Sequence, residues 1–205
     1  MNNGPARERD LLRRCRTGDD GAYAELVACH GRRLFTLAFR LVGSRAGAEA
    51  LVEATFLEAF QAIERREERL SLSVWLAGLC VRQARRRAGS GTARHLHPLP
   101  PGRIPHDSED APGLADALAA LPFEERAAVV LRFVLGLTVA DAVVAQDVPH
   151  ATFVACLVRG LDRLLRAGSE SRAGRVPVPR AASAIPAGVS GRAGRARILL
   201  GRDEP

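Results

Sequence analysis

The segment 44–63 sets the strongest constraint on the fold, because its apolar residues recur at three- and four-residue steps. Those residues are Ala48, Leu51, Val52, Thr55, Phe56, Ala59, Phe60 and Ile63. This spacing places one stripe along one side of an α-helix, and a stripe of this kind must be buried against other elements. The same period runs through the flanking residues 7–87, with Gly43 and Ser44 as a helix stop and a fresh N-cap. The pattern predicts a four-helix domain over residues 1–88.

A change of composition follows that domain. Five prolines and three glycines fall between Ala88 and Pro112, which is incompatible with a continuous helix and predicts a flexible linker over residues 89–112. Helical periodicity then returns, and Thr138 with Asp141 resembles a capping box ahead of a helix, a turn and a last helix. We predict a second small helical domain over residues 113–167, and a disordered basic tail over residues 168–205, where no period is sustained. The predicted fold class is all-α.

The net charge and the absence of recognisable catalytic motifs limit the classes of function that the sequence allows. The net charge is +7 and every basic residue is an arginine, which favours a polyanionic partner. No nucleophile elbow, phosphate loop or zinc-protease pattern occurs in the sequence, so we expect no enzyme and no cofactor. We also expect no membrane insertion and a cytoplasmic location, because the sequence has no apolar run of membrane-spanning length and no signal peptide.

The cysteines and histidines of this sequence do not have the spacing of metal ligands. The four cysteines (Cys15, Cys29, Cys80, Cys156) are scattered without a C-x-x-C pair, and we interpret them as buried free thiols. The histidines of the linker, at positions 95, 97 and 106, lack nearby partners at ligand spacing. The sequence predicts no metal site.

Three stretches, taken in chain order, resemble a bacterial RNA polymerase sigma factor of the extracytoplasmic-function type. "SRAGAEALVEATFLEAFQAI" resembles the polymerase-binding helix of that family, and "LSLSVWLAGLCVRQARRR" resembles its promoter-opening segment, with Trp75 and Leu76 as the hallmark pair. "ALPFEERAAVVLRFVLGLT" resembles the start of its promoter-reading domain. The resemblance implies a region 2-like domain followed by a region 4-like helix-turn-helix domain.

The resemblance also implies partners and site residues. Core RNA polymerase would bind the outward face of the helix at 44–63, promoter DNA would bind both domains, and an anti-sigma factor would regulate the protein. The loop "ERREERLS" and the basic helix end after it would hold the opened non-template strand. The implied polymerase-binding residues are Glu49, Glu53, Leu57 and Glu58. The implied DNA-binding residues are Trp75, Arg82, Gln83, Arg85, Arg86 and Arg87, then Thr152, Arg159 and Arg163 in the last helix.

Two faces depart from the family pattern. Ala50 and Ala54 stand where acids are expected on the polymerase-binding helix, and the outward face of the last helix carries Val154, Ala155 and Val158 where polar groups usually meet base edges. An exposed apolar face is typical of protein partners. Two alternatives therefore stay open: a sigma-like regulatory protein that binds an anti-sigma factor or polymerase without reading a promoter, and a general nucleic-acid binder that acts through its Arg-rich tail.

Overall fold

The computed structural model describes residues 5–66, 69–89 and 113–173, and within these ranges every regular element is helical. The N-terminal half consists of α1 (Pro5–Arg16), α2 (Asp20–Val42), α3 (Arg45–Ala62) and α4 (Leu72–Gly89). The C-terminal half consists of α5 (Leu114–Ala119), α6 (Phe123–Val129), α7 (Val139–Gln146) and α8 (His150–Ala173). A 3₁₀ turn (Ile63–Arg65) follows α3 and a π-helical turn (Val130–Val134) follows α6. The predicted all-α class is confirmed.

Short polar residues fix the helix starts. The Asp19 side chain accepts hydrogen bonds from the first free N–H groups of α2, at 2.8 Å from Gly21 N. Ser44 caps α3 in the same way, directly after Gly43, whose φ of 74° ends α2. Thr138 accepts a hydrogen bond from the backbone N–H of the third residue of α7, which confirms the predicted cap.

The stripe of α3 forms the centre of the N-terminal half. Leu51 and Ala59 are fully buried, and the ring of Phe60 lies 4.6 Å from the ring of Tyr23 in α2. Helices α2, α3 and α4 pack around this stripe, and α1 packs against α2. Val27 of α2 lies outside this core, because 41% of it is exposed.

Close packing of α6 against α8 forms the C-terminal half, with Phe153 fully buried. Gly160 permits this approach, since a Cβ atom there would lie 2.9 Å from Val129 Cγ2. Val134 is 40% exposed, at the end of the π-helical turn that interrupts the α-helical period of α6.

The last helix corrects one predicted boundary. α8 continues to Ala173, so residues 168–173 are helical and do not belong to the predicted disordered tail. Gly89, the first residue of the predicted linker over residues 89–112, is the last residue of α4. The rest of that linker, residues 90–112, and the rest of the predicted tail, residues 174–205, lie outside the described residues.

The two halves pack directly on each other within one compact unit. Gly78 of α4 lies against the backbone of Ala145 in α7, where an added Cβ would be 3.4 Å from the Ala145 carbonyl oxygen. Arg126 of α6 donates a 2.7 Å hydrogen bond to the Leu41 carbonyl at the end of α2. The predicted division of the helices into two domains stays a prediction.

Candidate functional site

A groove between α2 and α3 brings together three of the four predicted polymerase-binding residues. Its volume is about 550 Å³ and its walls are mainly apolar and aromatic side chains. Glu49, Glu53 and Leu57 succeed one another at four-residue steps of α3, so they line the same side of the groove. Leu57 is 55% exposed. The remaining lining residues are Val27, Gly31, Arg32, Phe35, Val52, Phe56 and Phe60.

Glu58, the fourth predicted residue, does not line this groove. It lies about 100° around the helix from Leu57 and faces α4. Arg82 donates to its carboxylate at 2.8 Å, Gln83 donates to its other oxygen, and Arg86 lies 3.7 Å away. Burial raises the pKa of this carboxyl, but the hydrogen bonds from Arg82 and Gln83 outweigh that effect and leave the pKa below its usual value. Glu58 is therefore an ionised anchor between α3 and α4.

The other two arginines at the end of α4 have different partners. Arg87 donates to the Ala50 carbonyl at 3.1 Å. Arg85 makes a bidentate pair with Glu124 of α6, at 2.7 and 2.9 Å, and also donates to the Gln146 carbonyl at 2.8 Å. The predicted DNA-binding residues at this helix end are thus close together, and one of them is held by the C-terminal half.

Trp75 lies at the other end of α4, half-buried beside a buried arginine. The Arg66 guanidinium carbon is 5.7 Å from the centre of the Trp75 ring, a cation–π arrangement. Glu8 of α1 accepts a hydrogen bond from Arg66 at 3.3 Å, and its same oxygen accepts from the backbone N–H of Leu72. One carboxylate of α1 therefore fixes both ends of the segment that precedes Trp75.

The helix-turn-helix consists of α7, a turn at Asp147, and α8. Asp147 adopts a left-handed conformation with φ 56°, which ends α7 and redirects the chain. Thr152 is exposed near the start of α8. Arg159 and Arg163 both pair with Glu125 of α6, at 3.3 and 3.0 Å. The two predicted basic residues of α8 thus share one buried acid.

The outward face of α8 is apolar, as its sequence predicts. Val154 is 37% exposed and Val158 is 59% exposed. Neither side chain has a hydrogen-bonding group, so neither can read the donors and acceptors of a base pair. Leu165, further along α8, is 74% exposed.

Several acidic and polar partners of the arginines were not predicted from the sequence. Glu8, Glu124, Glu125 and Gln146 all hold an arginine or a helix end. Glu124 and Glu125 lie in the first turn of α6, where acidic residues are favourable on local grounds alone. The orientation of Glu58 could have been predicted from the sequence. Residues i and i+1 of a helix point to different sides, so Glu58 does not share a face with Leu57.

Within the described residues, no three histidine, cysteine or acidic side chains lie close enough together to hold a metal ion. None of the described helices has the length and apolar character needed to cross a membrane. Cys15, Cys80 and Cys156 are buried, and burial raises the pKa of Cys80 to about 12, whereas Cys29 is exposed and so corrects the prediction of four buried thiols.

Comparisons of the sequence with known proteins agree on one family. The family described as Sigma-70 region 2 matches residues 26–92, which include α3 and α4. The "ECF RNA polymerase sigma factor SigE" of Mycolicibacterium smegmatis is 32% identical over 167 residues, covering 72% of this chain and 63% of SigE. The "RNA polymerase sigma factor CarQ" of Myxococcus xanthus is 32% identical over 133 residues, covering 61% of this chain and 76% of CarQ. The chain thus spans about 63% of the length of SigE.

Two solved structures share the fold. CnrH, in complex with the cytosolic domain of CnrY, matches with a TM-score of 0.60 and 18% identity, over 80% of this chain and 97% of CnrH. The sigma factor RpoE of Bartonella quintana, in complex with the anti-sigma factor NepR, matches with a TM-score of 0.58 and 19% identity, over 72% of this chain and 96% of its own. The helical arrangement therefore occurs in both of those proteins.

Proposed function

Because the chain belongs to the RNA polymerase sigma factors of the extracytoplasmic-function type, we propose that it binds core RNA polymerase and directs transcription initiation at promoters, without catalysing a reaction itself. The observation that carries this proposal is the apolar groove between α2 and α3, in which Leu57, Glu49 and Glu53 share one wall. We infer that the protein acts in the cytoplasm, because bacterial core RNA polymerase works there.

The groove fits a helical partner of defined chemistry. Three phenylalanines (Phe35, Phe56, Phe60) give it apolar walls that a helix could bury, and Leu57 supplies an exposed anchor. Glu49 and Glu53 are exposed acids on the same wall, which favours a partner with basic residues beside its apolar face. Buried apolar anchors usually dominate the binding energy of such an interface.

Leu57→Asp tests the groove. We expect the substitution to weaken binding to purified core RNA polymerase by about 10- to 100-fold, because it removes an anchor and adds an acid that must be desolvated. Leu165→Asp is the matched control, since the same change falls on a more exposed leucine of α8. The affinity would be measured by fluorescence anisotropy of labelled protein at low salt. Failure of the unaltered chain to bind core RNA polymerase would overturn the proposed function.

The end of α4 is the proposed contact for the opened promoter strand. Arg86 is exposed, and Arg82 is 43% exposed even while it pairs with Glu58. Two arginines facing one carboxylate leave a net positive charge, which would attract phosphates and release their counterions. Trp75 offers a partly exposed ring for stacking on a base.

The helix-turn-helix is proposed to bind DNA mainly at the phosphate backbone of the DNA. Thr152, Arg159 and Arg163 supply hydrogen-bond donors around an apolar face that cannot discriminate bases. Phosphate contacts position a protein on a duplex without specifying its sequence, so promoter choice would depend more on the N-terminal half.

A protein inhibitor is proposed as the regulatory partner. RpoE of Bartonella quintana is in complex with the anti-sigma factor NepR in its structure. In this chain the groove between α2 and α3 is the described surface that best fits an inhibitory helix, because it combines apolar walls with exposed acids. An inhibitor bound there would compete directly with polymerase.

A further inference from the structure

Glu8 of α1 gives the start of α4 a hydrogen-bond acceptor from outside the helix. Its Oε1 atom accepts from the backbone N–H of Leu72, the first residue of α4. The Ser71 hydroxyl accepts from the backbone N–H of Val74 at 3.4 Å. The first N–H groups of a helix have no partner within the helix, and a negative charge beside them is favourable. Glu8 and Ser71 together therefore fix the first turn of α4, directly before Trp75.

The same oxygen of Glu8 also holds the Arg66 guanidinium. Arg66 donates to it at 3.3 Å and donates to the Leu70 carbonyl as well. Only 2% of the Arg66 side chain is exposed, so its charge is stabilised by protein groups rather than by water. Removal of one partner from a buried ion pair destabilises the arrangement of the other. The position of Arg66 therefore depends on Glu8.

The Trp75 ring depends on both of these arrangements. The Arg66 guanidinium carbon lies 5.7 Å from the centre of the ring, a distance at which a cation is attracted to the ring face. The backbone N–H of Trp75 donates to the Ser71 carbonyl at 3.1 Å, so its backbone is set by the same first turn of α4. The ring is partly exposed. A ring that is already held in one orientation loses less conformational entropy when a base stacks on it.

We propose that Glu8 is a positioning residue for Trp75, because one carboxylate holds both Arg66 and the first turn of α4 and so fixes the ring in the orientation on which an unpaired base stacks. The proposal rests on the proposed function, since it concerns Trp75 as a contact for the opened promoter strand. An acid near a DNA-binding surface repels phosphates, so its removal should strengthen DNA binding on grounds of charge alone. The positioning role predicts the opposite sign.

Glu8→Ala tests this sign in the full chain bound to core RNA polymerase. Binding of a fluorescein-labelled single-stranded DNA of mixed sequence would be followed by fluorescence anisotropy, with core RNA polymerase alone as the background. We expect Glu8→Ala to weaken this binding by about five- to ten-fold, within the range that loss of one base–aromatic stack produces. Binding to core RNA polymerase should stay unchanged, because Glu8 does not line the groove between α2 and α3. Unchanged or tighter DNA binding overturns the proposal.

Glu25→Ala is the matched control on the same helix pair. It removes the same charge and breaks the pairs between α1 and α2, with Arg7 at 2.9 Å and Arg14 at 3.1 Å, but it leaves the start of α4 intact. DNA binding by this variant should be equal to that of the unaltered chain or tighter. An equal loss in the two variants would mean that any loosening of α1 weakens DNA binding, and the proposal would be wrong.

Trp75 is the only tryptophan of the chain, so its fluorescence reports on this ring in the free protein. Glu8→Ala should shift the emission to longer wavelength and increase quenching by acrylamide, because the ring is no longer held beside Arg66. Glu25→Ala should change neither. Glu8→Gln keeps an acceptor oxygen at the same reach but makes weaker, uncharged hydrogen bonds, so its emission and its DNA affinity should lie between those of Glu8→Ala and the unaltered chain. Unchanged emission in Glu8→Ala overturns the proposal.

Glu8→Ala in a Trp75→Leu background decides whether Glu8 acts through the ring. Trp75→Leu alone should weaken DNA binding, and the added Glu8→Ala should weaken it by less than about two-fold more, because residues that act through one contact are not additive. Losses that multiply overturn the proposal. If the unaltered chain does not bind core RNA polymerase, the proposed function falls. The emission of free Glu8→Ala then decides the positioning role by itself.

Discussion

Replacing Arg126 with methionine should destabilise the protein more than any comparable arginine change in the C-terminal half. Arg126 is 8% exposed and donates to three backbone carbonyls, those of Leu41 at 2.7 Å, Ala119 at 2.7 Å and Leu121 at 2.9 Å. Two of these carbonyls belong to the last residue of α5 and to the turn that follows it, and the third belongs to the end of α2. One side chain therefore holds three chain segments together.

The magnitude follows from the acceptors that methionine would leave behind. Each buried carbonyl without a partner costs about 1–3 kcal/mol, and partial access of water favours the lower end, so three of them cost about 3–5 kcal/mol. Burial also lowers the pKa of Arg126, which shows that the charged guanidinium is itself poorly solvated. Removing that charge recovers about 1 kcal/mol. The expected loss in the free energy of unfolding is about 2–4 kcal/mol.

Urea denaturation followed by circular dichroism at 222 nm measures this loss. With a slope of about 2 kcal/mol per molar urea, the midpoint should fall by about 1–2 M. Arg132→Met is the control, because Arg132 is only half-buried and donates to a single carbonyl, that of Leu137, at 3.2 Å. Its midpoint should fall by less than about 0.5 M. Equal shifts in the two variants would refute the carbonyl argument.

Two further substitutions test packing and protonation. Gly160→Ala should lower the free energy of unfolding by about 1–3 kcal/mol, because the new Cβ would meet Val129 Cγ2 at 2.9 Å. Gly168→Ala is the control, because a Cβ there would have nothing within 4 Å. It should be neutral or slightly stabilising in the same urea titration. Burial lowers the pKa of His30, so the unfolded chain binds its proton more readily, and stability should fall as the pH drops below about 6.5. His30→Gln should flatten this fall between pH 7 and 5.5, and the exposed His150, changed in the same way, should leave it intact.

The helices could be predicted from the sequence because their signals are local. The stripe of α3 and the caps at Ser44 and Thr138 depend on residues within one or two helical turns of each other. The groove could be predicted in part for the same reason, since Glu49 and Leu57 lie two turns apart on one face. The place of Val27 in the groove wall could not be predicted, because it depends on whether a third helix covers that edge of α2.

The partners of the arginines could not be predicted, since they are set by how distant segments pack. Arg85 and Glu124 are 39 residues apart in the chain, and Arg126 reaches a carbonyl 85 residues away. No periodicity links such positions. The arginines at the end of α4 could be recognised from the sequence as a cluster of basic residues. Their different internal partners are visible only in the structure.

Helix α2 connects the groove with the contact between the halves. Arg32 lines the groove, and the next residue, Arg33, donates to the Leu135 carbonyl of the C-terminal half. A partner that displaces this turn of α2 as it binds would also weaken the packing of the two halves, and by linkage a chain whose halves are separated would bind that partner more tightly. Occupancy of the groove and the Arg33 contact are then coupled through a single turn of α2.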